Sequence, residues 1–201
     1  MSSRYDSLQN LLERFVKNPC DNFNKFWLGY EYEKLGHLSS AMGYYLSCAE
    51  NTDEDTLAYE CLLRKAVAFT LIGGRGAHVR NALQLAVSLL PGRPEAYFLM
   101  SVAYETTQDS RHEDKWQQTY TWATIGKETA SSFRGNSLLT NVGYDGDFTF
   151  EFQQAVSLWR IGRFSCSRSL FNKLIDNPSL TDRFRKATLR NIKSLSSAQK
   201  S

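Results

Sequence analysis

The chain has 201 residues, a mass of 23.0 kDa, 42% apolar and 13% aromatic residues, and a net charge of +3. That length fits one domain or one continuous array of repeats, with enough apolar residues for a packed core. Its longest apolar run, Ala66 to Ile72, is far too short to span a bilayer, and the first residues offer no apolar run for a secretion signal, so composition predicts a cytoplasmic protein with no membrane span. Cys20, Cys48, Cys61 and Cys166 are scattered with no Cys-x-x-Cys pair, which predicts four buried thiols rather than a disulfide framework.

Helical periodicity begins near Tyr5, where Leu8, Leu11, Leu12, Phe15 and Val16 fall on one face as far as Lys17. Asn18-Pro19 stops that helix, and Asp21 or Asn22 can cap the next by accepting an orphan amide. This second helix ends at Gly36, where a left-handed turn is cheap only for glycine. A partner helix follows over Ser39 to Glu50. The next pair runs from about Thr56 and from about Ala77 to Leu90, joined by a Gly-rich turn, with Ala82 as the small residue at the helix crossing. Pro94-Glu95 suits a helix start: the proline amide is spare there, and an acid lies near the positive end of the helix dipole. The turn of that third pair extends through Thr107 to Asp114, and Trp116, Tyr120 and Ala123 mark its second helix.

Residues 131–147 are rich in Ser, Asn and Gly and read as a loop with one helical turn at Ser137 to Asn141; loops of this length are usually functional or poorly ordered. A fourth pair follows and ends at Asn177-Pro178. A last helix, Thr181 to Ser196, puts Phe184, Thr188, Ile192 and Leu195 on one face. No strand-like alternation of useful length occurs.

Leu28, Gly29, Tyr32, Gly36, Leu38, Ala41, Tyr45 and Cys48 resemble the pattern of the tetratricopeptide repeat superfamily. Ala155, Leu158, Gly162, Phe164, Ser167, Phe171 and Leu174 repeat the offsets of Gly29 to Cys48, while the middle copies match after insertions in the inter-helix turn. The resemblance implies an all-α, right-handed solenoid of about four TPR-like helix pairs in one domain over 1–201. Its parts would be an N-terminal helix in 1–20, pairs at 21–50, 56–90, 94–129 and 147–177, and a capping helix at 180–196. A narrower likeness lies in Arg93-Pro94-Glu95, Phe150-Glu151-Phe152, Gly162-Arg163-Phe164 and Arg183 to Asn191, which look like the helical-repeat tail of some family 2 glycosyltransferases. That likeness implies an accessory module or diverged fragment of a glycosyltransferase system, yet the chain has no room for the nucleotide-sugar domain that does the chemistry.

The chemical motifs all have ordinary structural readings. Asp145-Gly146-Asp147 has the acid-x-acid form that can share a divalent ion, but without a sheet behind it it reads as a loop and helix cap. Gly73-Gly74-Arg75-Gly76 could cradle a phosphate, but it lacks the lysine and hydroxyl of a P-loop and reads as a long turn. His37, His78 and His112 have no metal-ligand spacing. The motifs therefore predict no enzyme, no catalytic residue, no cofactor and no metal. The basic run Arg183 to Lys200 could serve a nucleic-acid or membrane surface; since phosphate binding usually also needs placed aromatics or a groove-reading helix, it reads as a solvated face of a terminal helix and speaks against a nucleic-acid partner.

The resemblance places the first helix of each pair on an inner surface. The first-copy register then aims Phe26, Tyr30 and Glu33 inward, followed by Leu63, Val67 and Thr70, then Phe98, Val102 and Glu105, then Phe152, Val156 and Trp159. Glu33, Glu60, Glu95, Lys34 and Arg160 would form a charged rim. Such an apolar groove suits a protein partner: a peptide, a helix or another subunit. Its inward slots carry Tyr30, Val67 and Val102 where a carboxylate clamp needs Lys, Arg and Asn. The sequence thus reads as a non-catalytic interaction module or scaffold, with a structural part of a larger assembly such as a viral particle as an alternative. Self-burial of the groove, by tight curvature or by the N-terminal helix, stays open.

Overall fold

The computed structural model describes residues 2–106 and 112–198, with side chains at 7–106 and 114–195. Among the described residues there are ten helices and no strand: α1 Ser2–Lys17, α2 Asn22–Lys34, α3 Leu38–Asn51, α4 Asp55–Ile72, α5 Gly76–Leu89, α6 Glu95–Thr106, α7 His112–Ser132, α8 Phe148–Arg160, α9 Phe164–Ile175 and α10 Asp182–Ala198. The turn expected over Thr107 to Asp114 lies mostly outside the described residues. The chain forms two compact units, Met1–Pro91 with Asn136–Val142, and Gly92–Gly135 with Gly143–Ser201.

In the first unit, Asp21 is the N-cap of α2 and its carboxylate accepts the Asn24 amide at 2.9 Å. The helix ends because Gly36 adopts φ 80°; its amide returns to the Glu33 carbonyl and that of His37 to the Tyr32 carbonyl. These are the two crossed bonds of a Schellman turn, which satisfy carbonyls that a helix end leaves orphaned. The turn sends α3 back along α2. Tyr45 then lies over Gly29, and its ring is 5.9 Å from that of Phe26. Phe26, Ala41, Tyr45, Cys48, Leu57 and Cys61 form one buried core shared by α2, α3 and α4. Each fully buried ring stabilises the unit by roughly 2–3 kcal/mol. α5 closes on α4 through Val79, Ala82, Leu83 and Ala86, all buried.

The second unit repeats this design at α8–α9. Gly162 has φ 82°, and the amides of Gly162 and Arg163 return to the carbonyls of Trp159 and Leu158. Ser167, Phe171 and Leu174 are buried at the offsets that Ala41, Tyr45 and Cys48 occupy in α3. α10 packs on α8 and α9 through Phe184, Thr188, Ile192 and Leu195, and Arg185 donates to the Ile175 carbonyl at 2.8 Å, closing the end of α9. No described helix is long and apolar enough to cross a membrane.

Two expectations need correction. Only Cys48 and Cys61 are buried; Cys20 and Cys166 are exposed, since one lies in the turn before α2 and the other on the outer face of α9. Ser137 to Asn141 forms no helical turn but bends at Leu139 and Thr140, for a reason that lies in α4.

Candidate partner-binding face

Glu60 and Arg64 are four residues apart in α4, so they share the helix face that also carries Leu63 and Val67. Glu60 is 0% exposed and Arg64 5%. Burying such charges is tolerable only if hydrogen bonds replace the lost water. Glu60 obtains them from the segment 136–142. Its Oε2 accepts the Leu139 amide at 2.7 Å, and its Oε1 accepts the Thr140 amide at 2.8 Å together with the Thr140 hydroxyl. Arg64 donates from Nε to the Thr140 hydroxyl oxygen at 2.9 Å and from Nη2 to the Asn141 carbonyl at 2.7 Å.

The network continues toward α2. Arg64 Nη1 donates to Glu33 Oε1 at 3.1 Å, and the Tyr45 hydroxyl donates to Glu33 Oε2 at 2.7 Å. Burial, then the Glu33 charge and hydrogen bond, push the Tyr45 hydroxyl well above its ordinary range. Tyr30 lies beneath two cations: the Arg64 guanidinium is 4.8 Å from its ring centroid and the Lys34 ammonium 5.0 Å. Lys34 itself pairs with Glu31.

Of the inward residues expected in this unit, Phe26 and Leu63 are wholly enclosed in the core, whereas Tyr30 and Val67 keep partial exposure. In the second unit Phe98 is buried against the rings of Tyr144 at 5.8 Å and Phe150 at 6.2 Å. Phe152 packs between Phe171 at 5.9 Å and Phe184 at 5.1 Å, and Val156 is buried beside it. Val102 and Trp159 stay partly exposed, and the Arg160 guanidinium sits over both Trp159, at 5.2 Å, and Trp116, at 5.4 Å.

The acidic rim also reads differently in three dimensions. Glu33 and Glu60 belong to the buried network above. Glu95 accepts both Arg93 nitrogens, at 2.6 and 3.2 Å, in a buried bidentate pair. Arg93 also lies over the Phe133 ring at 4.7 Å, so the Arg-Pro-Glu motif anchors the start of α6 to the end of α7. Asp147 takes the N-cap position of α8, but its carboxylate accepts the Tyr144 hydroxyl at 2.8 Å rather than an orphan amide. Asp145 is exposed. The turn at Gly73 and Gly74 is held by positive φ at both glycines, and His78 packs on Phe69 at 5.2 Å. Among the described residues no group of three or more His, Cys, Asp or Glu is placed to hold a metal.

The periodicity did not single out the Glu60–Arg64 pair as a binding element. Its signal was present: two opposite charges one helical turn apart, on the face that otherwise carries Leu63 and Val67. A charge in such a register has to be paired or solvated.

No protein family and no curated protein matches the chain. Solved structures do. The MamA RS-1 ArsTM double mutant superposes with a TM-score of 0.65 at 13% identity, covering 87% of this chain and 84% of that one. A crystal structure of MamA protein gives 0.64 at 13% identity over 87% and 82%. MamA 41-end from Desulfovibrio magneticus RS-1 gives 0.64 at 13% identity over 87% and 85%. The fold is therefore all-α and TPR-like, as in these helical-repeat proteins.

Proposed function

We propose that the chain is a non-catalytic protein-interaction module that holds a partner segment on the inner helix faces of its units. The observation that carries this reading is the segment 136–142, a non-helical stretch of polypeptide lying on the α4 face, bound through its main chain to buried charges. A face that already binds one non-helical segment through its main chain has the chemistry to bind another. Tyr30 in the first unit and Trp159 in the second keep partial exposure beside Arg64, Lys34 and Arg160. Tyr, Trp and Arg are the side chains from which interface anchors are mostly made. The TPR-like fold supports the same reading, since stacked helix pairs present inner faces of this kind.

The test is capture of partners from native extract on the immobilised full chain, identified by mass spectrometry and then titrated in purified form. Trp159→Ala or Tyr30→Ala is expected to weaken the identified partner by about 2 kcal/mol, roughly thirtyfold. Unchanged affinity in both variants overturns the assignment of these faces.

A further inference from the structure

We propose that Cys48 of α3 and Cys61 of α4 are an oxidisable dithiol, which a small hydroperoxide converts into a disulfide that ties the two helices together. This site is independent of the inner faces discussed above.

The two thiols belong to one core. Cys48 is 0% exposed and Cys61 1%, and both line the cluster that holds Phe26, Ala41, Tyr45 and Leu57. They are hydrogen-bonded to each other. α3 and α4 are packed neighbours joined by the short turn at 52–54, so the sulfurs meet across the contact between the two helices. Packing alone does not call for sulfur here, since the fourth pair buries Leu174 at the offset of Cys48.

The sulfurs are also unequal. The hydrogen bond with Cys61 holds the Cys48 thiol below its ordinary range; the Lys25 charge and the Phe26 amide add to this, while burial and Asp21 oppose it. The same bond and burial push the Cys61 thiol up. Lys25 is itself buried, and its ammonium donates to the Asn22 side chain at 3.0 Å. Cys48 is therefore the attacking sulfur and Cys61 the resolving one. Cys48 also has the shorter way to solvent. Its thiol donates to the Asn22 carbonyl at 3.2 Å, in the first turn of α2, directly after the exposed residues 18–20. Helix ends open more readily than helix centres, and opening of this turn admits a molecule little larger than water.

The chemistry balances with hydrogen peroxide as the two-electron oxidant. The Cys48 thiolate attacks one peroxide oxygen: an S–O bond forms, the O–O bond breaks, and the departing hydroxide takes the proton that Cys48 gave up, leaving as water. The Cys61 sulfur then attacks the Cys48 sulfur. The S–S bond forms, the S–O bond breaks, and the second hydroxide leaves as water with the Cys61 proton. The disulfide crosses a contact that is otherwise held by packing between neighbouring helices, so it opposes their separation.

The experiment treats the folded full chain with hydrogen peroxide, blocks remaining thiols with iodoacetamide and maps the peptides by mass spectrometry. Cys20 and Cys166 are exposed and report that the oxidant was active. A Cys48–Cys61 cross-linked peptide, two hydrogens lighter and lost on reduction, is expected. Oxidised glutathione, too large for the path, is expected to label Cys20 and Cys166 and to leave the buried pair reduced. A chain carrying Cys20→Ser and Cys166→Ser should give the same cross-link, and its oxidation should slow amide exchange in α3 and α4 by about tenfold or more. In Cys61→Ala, dimedone should trap Cys48 as the sulfenic acid, whereas in Cys48→Ala it should leave Cys61 unlabelled.

Three results overturn the proposal: Cys48 and Cys61 still reduced once Cys20 and Cys166 are oxidised, a cross-link that forms only in urea, or exchange in α3 and α4 unchanged by the cross-link. The first two are read on the parent chain, so they decide the matter even if an alanine variant fails to fold. Dimedone on Cys61 rather than Cys48 overturns the assigned order of attack.

Discussion

At the level of single residues, two glycines show how closely packed helices approach. A Cβ on Gly29 would lie 2.8 Å from the Tyr45 ring, and one on Gly126 would lie 2.2 Å from the Phe150 ring and 2.8 Å from Tyr97 Cβ. Alanine gains about 1 kcal/mol of helix propensity over glycine, whereas overpacking costs typically 1–3 kcal/mol. At Gly29 the obstacle is one ring, so Gly29→Ala should be close to neutral or destabilising by about 1–2 kcal/mol. At Gly126 the obstacle includes the Cβ of Tyr97, which cannot rotate away, so Gly126→Ala should cost about 2 kcal/mol or more. Urea unfolding of the two variants tests this order, and a more stable Gly126→Ala protein would refute it. Only the first glycine was legible beforehand. Gly29 sits inside the best-preserved copy of the repeat. Gly126 sits in the third, where the long turn hides the register.

Helix ends and the segments between helices divide in the same way. The turns after α2 and α8 were readable because their chemistry is local: a glycine one position past the C-cap, with the amide bonds that follow. At Gly36 and Gly162 nothing lies within 4 Å of the place a Cβ would take, so substitution costs only the left-handed backbone. Gly36→Ala and Gly162→Ala should each lose about 1–2 kcal/mol with unchanged denaturant slope. A loss at one and none at the other would break the equivalence of the two turns. The bent path of 137–141 was not readable for the opposite reason. Its amides bind a carboxylate 79 and 80 residues away in sequence, and composition alone left a helical turn open. The inner faces suffered similarly. Helical period fixed which residues point one way, but it could not say that α9 and α10 would enclose Phe152, or that buried partners would absorb Glu33, Glu60 and Glu95.

For the molecule as a whole, the ionisable groups tied to the core set a window of pH in which both units keep their full stability. On the acid side stands Glu151 in the second unit. Burial raises its pKa, but hydrogen bonds and charge from Lys127 at 2.7 Å and Lys173 at 3.4 Å outweigh that, leaving it below the ordinary value of 4.5. A depressed carboxylate contributes fully above its unfolded pKa, and the contribution is lost as pH falls through the folded value. The difference in Tm between the parent and Glu151→Gln should therefore be complete at neutral pH and close below about pH 4.5. On the alkaline side stand Tyr45 in the first unit and Tyr144 in the second, both raised above 10.0, by burial first and then by Glu33 and Asp147 respectively. A raised hydroxyl keeps its proton longer when folded, so its stabilisation is whole below pH 10 and is lost as pH climbs beyond it. Tyr45→Phe should cost about 1–2 kcal/mol at pH 7 through the missing bond to Glu33. Above pH 10 its Tm should fall less steeply than that of the parent, so the two curves converge. Parallel curves across the whole range would mean that neither the Glu151 pair nor the Tyr45–Glu33 bond is coupled to folding. Convergence at the alkaline end alone would locate the fault in the second unit's ion pairs and leave the network behind Arg64 intact.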